Sequence, residues 1–333
     1  MKIVCFDLEG PLSPQDNAYD VMGILVENGH RIFEVLSRYD DVLTLEGRKG
    51  YEPGDTLSLI IPLLLYHGIT EADIKKVSQK AMIVEGVKET IAGLKKAGFD
   101  VFIISTSYQP HAYNVGSHVG VGLDHIYCTK LPLDEYIERF KDSDFSLIKD
   151  VEKKILSVED EEQIHSILDN FYWHELPEGE FSVIRDVKVT GGQRKVDAMK
   201  DAAKRAGANL SDVIAVGDSI TDFKMLREVR RGGGVAVAFN GNEYSVPYAN
   251  IGLSSSDMRP LLQIAEAFSQ GGKKEAMERA EYLEKNPDKI NIKCGFAPRI
   301  QCLMDADKEA IRHIICTHKK ARAFVRGAAA KLG

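Results

Sequence analysis

Residues 2–10 of the chain read KIVCFDLEG, an apolar run that ends in two carboxylates, Asp7 and Glu9. Three further apolar runs of similar length follow at 101–104, 213–216 and 235–238. Continuous runs of this kind are typical of parallel strands that are covered on both faces. Helical patterns lie between them, such as Gly86 to Ala97 and Lys195 to Ala206. The alternation predicts a doubly wound, Rossmann-like α/β sheet.

Two stretches interrupt the alternation, and a third follows it. Residues 15–83 read as mostly helical, with candidate helices at 17–36 and 55–66, and we expect them to form a helical cap. Residues 132–185 are rich in Asp and Glu, which predicts an acidic insertion that serves as a second cap or a docking element. Residues 263–333 are expected to form a helical C-terminal extension. The predicted catalytic core comprises 1–14, 84–131 and 186–262.

Composition excludes several classes of function. The chain has 333 residues and a formal net charge of −7, which argues against a nucleic-acid binder. Its longest apolar stretch, 57–66, is about half of what a bilayer requires and contains Pro62, so no membrane association is expected. Five scattered cysteines fit a reducing compartment, and we expect a cytoplasmic protein.

Carboxylates follow two of the predicted strands. Asp7 and Glu9 come after the first, and Asp218 and Asp222 come after the run at 213–216. Because the carboxyl ends of parallel strands meet at one edge of a sheet, these groups converge. Clustered carboxylates repel one another unless a cation joins them, and hard oxygen ligands suit Mg²⁺. The sequence therefore predicts a magnesium site.

Hydrogen-bond donors accompany the carboxylates. Ser105 offers a hydroxyl, and the backbone amide of Thr106 lies on a predicted loop that leads toward a helix, where anions are favoured. Lys195 supplies a positive charge at the start of another predicted helix. A carboxylate nucleophile, a metal, a lysine and a hydroxyl together indicate phosphoryl transfer through an aspartyl-phosphate.

In their order, these motifs resemble those of the haloacid dehalogenase (HAD) superfamily. The matching motifs are Asp7-Leu8-Glu9, the strand that ends at Ser105, Lys195 at a helix start, and Gly217-Asp218 through Asp222. The spacing from Lys195 to Asp222 is similar to that of phosphoserine phosphatases. Four motifs in order are a far more specific signal than any one of them.

The resemblance implies a role for each position. Asp7 would be the nucleophile and a Mg²⁺ ligand, and Glu9 the general acid and base, with its backbone carbonyl on the metal. Asp218 would complete the protein ligands, and Asp222 would support them directly or through water. Phosphate-binding groups are expected at Ser105, Thr106 and Lys195.

The chain departs from the family at two places. Glu9 stands where most family phosphatases carry Asp, although phosphoserine-phosphatase-like members with an Asp-x-Glu motif exist. In phosphoserine phosphatases an acidic residue after the first motif and a cap arginine read the amino acid. Asp16 falls near the acidic position, where it can bind substrate or simply cap a helix, but residues 59–63 contain no cation. We therefore do not predict phosphoserine as the substrate.

The best prediction is a Mg²⁺-dependent phosphatase that acts on a small phosphomonoester. The alternatives are a phosphotransferase and a non-catalytic regulatory or assembly protein on a HAD scaffold, including one associated with a hydrogenase in an archaeon. A protein partner could bind through 132–185 or through the basic tail with Lys319, Lys320, Arg322 and Arg326. That tail could equally bind the acidic segment or be a solvated helix face.

Overall fold

A seven-stranded sheet forms the centre of residues 1–176 and 185–332, the parts of the chain that this computed structural model describes. The strand order is β3-β2-β1-β4-β5-β6-β7. The strands are β1 (Lys2–Phe6), β2 (Phe99–Tyr108), β3 (Ile126–Thr129), β4 (Val213–Gly217), β5 (Val235–Phe239), β6 (Ile251–Ser254) and β7 (Arg299–Cys302). The first six pair in parallel, which confirms the predicted fold class.

One strand lies where the sequence indicated only helices. The edge strand β7 pairs antiparallel with β6, from Ile251 opposite Cys302 to Ser254 opposite Arg299. It has four residues, and its first side chain is exposed. So short a run carries little periodicity, and its pairing depends on contact with β6.

The helices connect the strands and build the cap. They are α1 (Asn17–Leu25), α2 (Gly29–Leu45), α3 (Thr56–Leu59), α4 (Ile61–Tyr66), α5 (Glu71–Ser78), α6 (Val87–Lys96), α7 (Gln109–Val119), α8 (Leu133–Tyr136), α9 (Asp142–Ser157), α10 (Glu161–Asn170), α11 (Gln193–Arg205), α12 (Phe223–Arg231), α13 (Leu261–Lys285) and α14 (Lys308–Arg326). The single helix expected at 17–36 is two helices, because Asn28 adopts a left-handed conformation with φ 57°.

The cap segment and the acidic insertion share one hydrophobic core. Leu36 and Leu64 from the first segment and Ile148 and Phe171 from the second are buried in the same cluster. Four residues of the stretch 59–63, which lacks a cation, are buried there too: Leu59, Ile60, Ile61 and Leu63. The acidic insertion of the sequence analysis includes 177–184, which lie outside the described residues. The proposed domain boundaries remain predictions.

No single helix in the described ranges is long and apolar enough to cross a membrane. One bent pair of segments, Thr56–Tyr66 with Glu71–Ser78, passes a test of length and composition alone. Apolar side chains of both segments are buried in the cap cluster, as expected for core helices of the cap.

Candidate active site

Three carboxylates converge at the carboxyl edge of the sheet. Asp7 directly follows β1, Asp218 directly follows β4, and Asp222 ends the turn that leads into α12. One oxygen from each lies within 4.8 Å of the others, and all three side chains are buried. The register explains this convergence, because β1 and β4 are parallel neighbours and the Asp7 N–H donates to the carbonyl of Val216 at 2.8 Å.

Lys195 joins two of these carboxylates. Its Nζ donates to Asp7 Oδ1 at 2.6 Å and to Asp222 Oδ1 at 2.7 Å, and the side chain has no exposed surface. Burial alone would lower the pKa of Lys195, but the Asp222 and Asp7 carboxylates outweigh burial and raise it above its ordinary value. The lysine is therefore a fixed positive charge beside the candidate nucleophile.

Asp222 also shapes the loop that carries Asp218. Its Oδ2 accepts hydrogen bonds from the backbone N–H groups of Asp218 at 3.0 Å and of Ser219 at 3.1 Å. One Asp222 oxygen thus binds the lysine and the other binds the loop. Asp222 therefore links Lys195 to the loop of Asp218, and its role in metal binding stays a prediction.

Asp7 lacks enough positive charge around it to remain ionised well below neutral pH. Burial and then the Asp222 carboxylate raise the pKa of Asp7 to about 7, although Lys195 opposes that shift. A dication beside the carboxylates would favour the ionised form. The electrostatics of the cluster therefore fit a bound cation.

Asp218 offers the clearest ligand atom for such a cation. Its Oδ1 is buried, and no described residue donates a hydrogen bond to it. Buried carboxylate oxygens are rarely left without a partner. The neighbouring Gly10 has φ +120°, and a Cβ built there would lie 2.3 Å from Asp218 Oδ2. Asp7, Asp218 and Asp222 therefore fit Mg²⁺, which prefers oxygen ligands.

Glu9 lies beside the cluster and contacts the cap. Its Oε1 accepts a hydrogen bond from the backbone N–H of Asn17, the first residue of α1, at 2.8 Å. Burial and then Asp16 raise the pKa of Glu9 well above its ordinary value. His111 Nε2 lies 3.7 Å from Glu9 Oε1, and burial lowers the pKa of this histidine to about 3. The histidine is therefore neutral beside Glu9, and sequence reasoning did not assign it to the site.

The second strand runs beyond its predicted end at Ser105, so Thr106, which the sequence analysis expected on a loop, lies in the strand. Strand β2 continues through Ser105 and Thr106 to Tyr108, with a shift in its pairing to β3 after Ile104. Such an irregularity leaves backbone groups outside the regular ladder. Ser105 is fully buried, and its Oγ accepts a hydrogen bond from the Ser107 N–H at 3.0 Å.

A small cavity of about 60 Å³ opens beside the carboxylates. Its lining includes Asp7, Glu9, Asp16, Thr106 and Arg326. Asp16 also caps α1 by accepting from the Tyr19 N–H at 2.9 Å, so both alternatives considered for this residue agree with its position. The volume gives room for only a few water molecules.

Two ion pairs connect the cap to the core next to this cavity. Arg194, adjacent to Lys195, donates to both oxygens of Asp55 at 2.5 and 3.2 Å. Lys224 of α12 pairs with Glu52 at 2.6 Å. Asp55 and Glu52 lie in the cap loop before α3. The two ion pairs therefore hold this loop against α11, which carries Lys195, and against α12.

The C-terminal helix also reaches the site. Arg322 and Arg326 of α14 both pair with Asp218 Oδ2, the second at 3.1 Å, and they are 2% and 9% exposed. The sequence analysis left this basic stretch as a solvated face, as a contact for the acidic segment or as a binding site for a protein partner. The first two expectations are wrong for these two arginines, which are buried against Asp218, and the third stays a prediction. Their i, i+4 spacing was the only local signal that they share a helix face.

Comparison with protein families matches residues 1–230 to the family described as haloacid dehalogenase-like hydrolase. Because the match covers well over half of the chain, this protein belongs to the haloacid dehalogenase-like hydrolases. Comparison with curated proteins finds no match.

Among solved structures, the chain is similar to gene product AF1437 from Archaeoglobus fulgidus. The two share 26% identity and a TM-score of 0.86 over 100% of this chain and 99% of that one. A substrate-bound phosphoserine phosphatase complex has 18% identity and a TM-score of 0.52, over 78% of this chain and 96% of that one. A phospho-aspartyl intermediate analogue of phosphoserine phosphatase has 19% identity and a TM-score of 0.51, over 78% and 97%.

Proposed function

We propose that this protein is a Mg²⁺-dependent phosphatase that hydrolyses a small phosphomonoester through a covalent aspartyl-phosphate on Asp7. One observation carries the proposal. The fully buried Lys195 is held between Asp7 and Asp222, beside the unpartnered oxygen of Asp218. This arrangement supplies a nucleophile, a fixed positive charge and a set of metal ligands in one place.

The chain's own residues account for both steps. An oxygen of Asp7 attacks phosphorus, the bond from phosphorus to the ester oxygen breaks, and Glu9 gives its proton to the leaving alcohol. Glu9 then takes a proton from water, which attacks phosphorus and breaks its bond to Asp7. Inorganic phosphate is released. Lys195 neutralises charge on the Asp7 carboxylate, which attacks in the first step and leaves in the second.

Asp7, Asp218 and Asp222 would hold the metal, the last by direct ligation or by supporting the other two. When bound, Mg²⁺ neutralises charge on the phosphoryl oxygens as a Lewis acid. The buried Ser105 and the cavity-lining Thr106 are proposed to bind those oxygens.

The first experiment measures hydrolysis of an aryl phosphate and of a panel of small metabolite phosphates, with Mg²⁺ and with EDTA. Asp7→Asn should abolish turnover, whereas Asp305→Asn, an exposed aspartate outside the site, should not change it. Activity that survives in Asp7→Asn would remove the chemical basis of the proposal.

A second experiment looks for the covalent intermediate. Glu9→Gln should slow its breakdown more than its formation from an aryl phosphate, whose leaving group needs little protonation. An acid quench after mixing with that substrate should therefore leave the mass of one phosphoryl group on the peptide that contains Asp7. Phosphate that appears on an added alcohol would instead indicate a phosphotransferase. If neither turnover nor a phosphoenzyme is found with any compound of the panel, the non-catalytic alternative is favoured.

A further inference from the structure

The last helix and the chain end form a unit that we call the C-terminal latch, residues 308–332. Its helix α14 presents Arg322 and Arg326 one turn apart, and both guanidinium groups pair with Oδ2 of Asp218. Arg322 also donates from Nη1 to the Asp218 carbonyl at 3.4 Å. Two cations thus bind the residue with the best-placed metal ligand atom of the cluster.

Both guanidinium groups are fixed from their other sides. Arg322 donates from Nε to the carbonyl of Ala330 at 2.9 Å and from Nη2 to the carbonyl of Leu332 at 2.7 Å. Arg326 donates from Nε to the carbonyl of Pro14 at 3.2 Å. Arg322 is therefore held by the docked residues Ala330 and Leu332, whereas Arg326 is held by the loop after β1.

The latch contacts the cap as well as the core. Ala329 and Leu332 are buried in the hydrophobic cluster of the cap, and Leu332 lines the active-site cavity. Lys331 pairs with Glu34 of α2 at 2.6 Å. The docked latch therefore contacts both the cap and the lining of the cavity, whose volume is about 60 Å³.

The latch and a divalent cation compete for the same negative charge. A cation on the unpartnered Oδ1 of Asp218 would share that carboxylate with the two guanidinium groups on Oδ2. Positive charges this close repel one another strongly in a buried site, where screening by water is weak. Docking of the latch and loading of the metal must therefore oppose each other.

We propose that the C-terminal latch is an autoinhibitory element whose arginines act as internal competitors of the catalytic divalent cation. The inference rests on the proposed function, since it assumes a metal at Asp218. With the latch docked, the site is closed and two guanidinium groups occupy the carboxylate of Asp218 that a cation would share. Metal binding weakens the latch, and release of the latch opens the cavity to substrate.

The first test is calorimetric titration of the 333-residue chain with Mg²⁺. The double variant Arg322→Gln/Arg326→Gln should bind Mg²⁺ more tightly than the wild type, by about 5- to 150-fold, the usual range for coupling between two sites. The control variant Arg312→Gln/Lys320→Gln removes two charges from exposed positions of the same helix and should leave the affinity unchanged. Unchanged or weaker binding in the first variant would overturn the proposal, and weaker binding would make the arginines positioning residues for Asp218.

The second test uses the wild type, so it does not depend on the folding of a variant. Coupling between two sites is reciprocal, so saturating Mg²⁺ should speed hydrogen exchange of amides in residues 318–332. Exchange that is unchanged or slower with Mg²⁺ would contradict the latch mechanism.

The two tests also separate this inference from the proposed function. If every protein binds Mg²⁺ equally and Asp7-dependent turnover is present, the latch mechanism is wrong and the phosphatase stands. If no protein binds Mg²⁺, both are wrong. If the double variant binds more tightly but neither it nor the wild type turns over any phosphate ester, the latch mechanism stands without the phosphatase.

Discussion

Replacement of the buried lysine offers a direct measure of how this site is stabilised. In Lys195→Met the carboxylates of Asp7 and Asp222 lose their shared cation, while the methionine keeps most of the apolar stem. Removal of one partner from a buried ion pair costs about 3–5 kcal/mol. Because this lysine has no exposed surface and serves two carboxylates at 2.6 and 2.7 Å, we expect a loss near the upper end, about 5 kcal/mol.

The assay is equilibrium unfolding in urea at about pH 8 with EDTA, followed by circular dichroism. The same helix supplies a matched control in Lys200, whose Nζ pairs with Glu228 at 2.6 Å but whose side chain is 48% exposed. Lys200→Met should cost at most about 1 kcal/mol, as exposed ion pairs usually do. A loss below about 1 kcal/mol for Lys195→Met would refute the idea that this lysine balances the buried charge.

The loss of unfolding free energy in Lys195→Met should be smaller at acidic pH. The pKa of Asp7 is already raised to about 7 by burial and by Asp222, and without the lysine it rises further. A carboxyl whose pKa is raised by folding favours the folded state at low pH, and this contribution is lost as the pH rises through the folded pKa. The difference between wild type and variant should therefore be smaller at about pH 5.5 than at about pH 8.

Two further substitutions test other parts of the site, and a third tests the packing of α14 away from it. Gly10→Ala places a Cβ against Asp218 in a backbone conformation that favours glycine, and we expect turnover to fall at least about 100-fold in a steady-state assay. Glu9→Asp shortens the proposed acid by one methylene, so kcat should fall about 100-fold with little change in KM. His318 accepts from the Gly241 N–H at 2.9 Å, and burial lowers its pKa to about 3. The free energy of unfolding should therefore fall between about pH 6.5 and pH 3, by up to about 1.4 kcal/mol per pH unit, and His318→Gln should show a shallower slope in urea titrations.

The parallel core was readable from sequence because its signals are local. The run from Ile3 to Phe6 is buried on both faces, and the residue after it is the candidate nucleophile. Since parallel strands end at a common edge, knowing which residues follow β1 and β4 was enough to bring Asp7 and Asp218 together. Lys195 was predicted as a site residue because it stands at the start of a predicted helix.

The contribution of the tail was not readable from sequence because it depends on a contact between residues more than 100 positions apart. Arg322 and Arg326 have the spacing of any amphipathic helix face, and charged residues on such a face are usually solvated. They reach Asp218 only because the tertiary fold places α14 beside the strand end that carries this residue. The antiparallel edge strand β7 precedes this helix, and both lie in a segment whose helical pattern concealed its tertiary role.

Glu9 stands where most family phosphatases carry Asp, and this difference affects the chemistry more than any other. The structure supplies a physical reason for the longer side chain. Its carboxylate accepts a hydrogen bond from the backbone N–H of Asn17, so the N-terminus of the first cap helix holds it in place. A helix N-terminus favours a negatively charged partner, and burial of Glu9 opposes that charge. An aspartate at position 9 would end one methylene earlier and would make this contact only if the helix moved. The longer side chain thus connects the proposed acid and base to the cap, which the C-terminal latch also contacts.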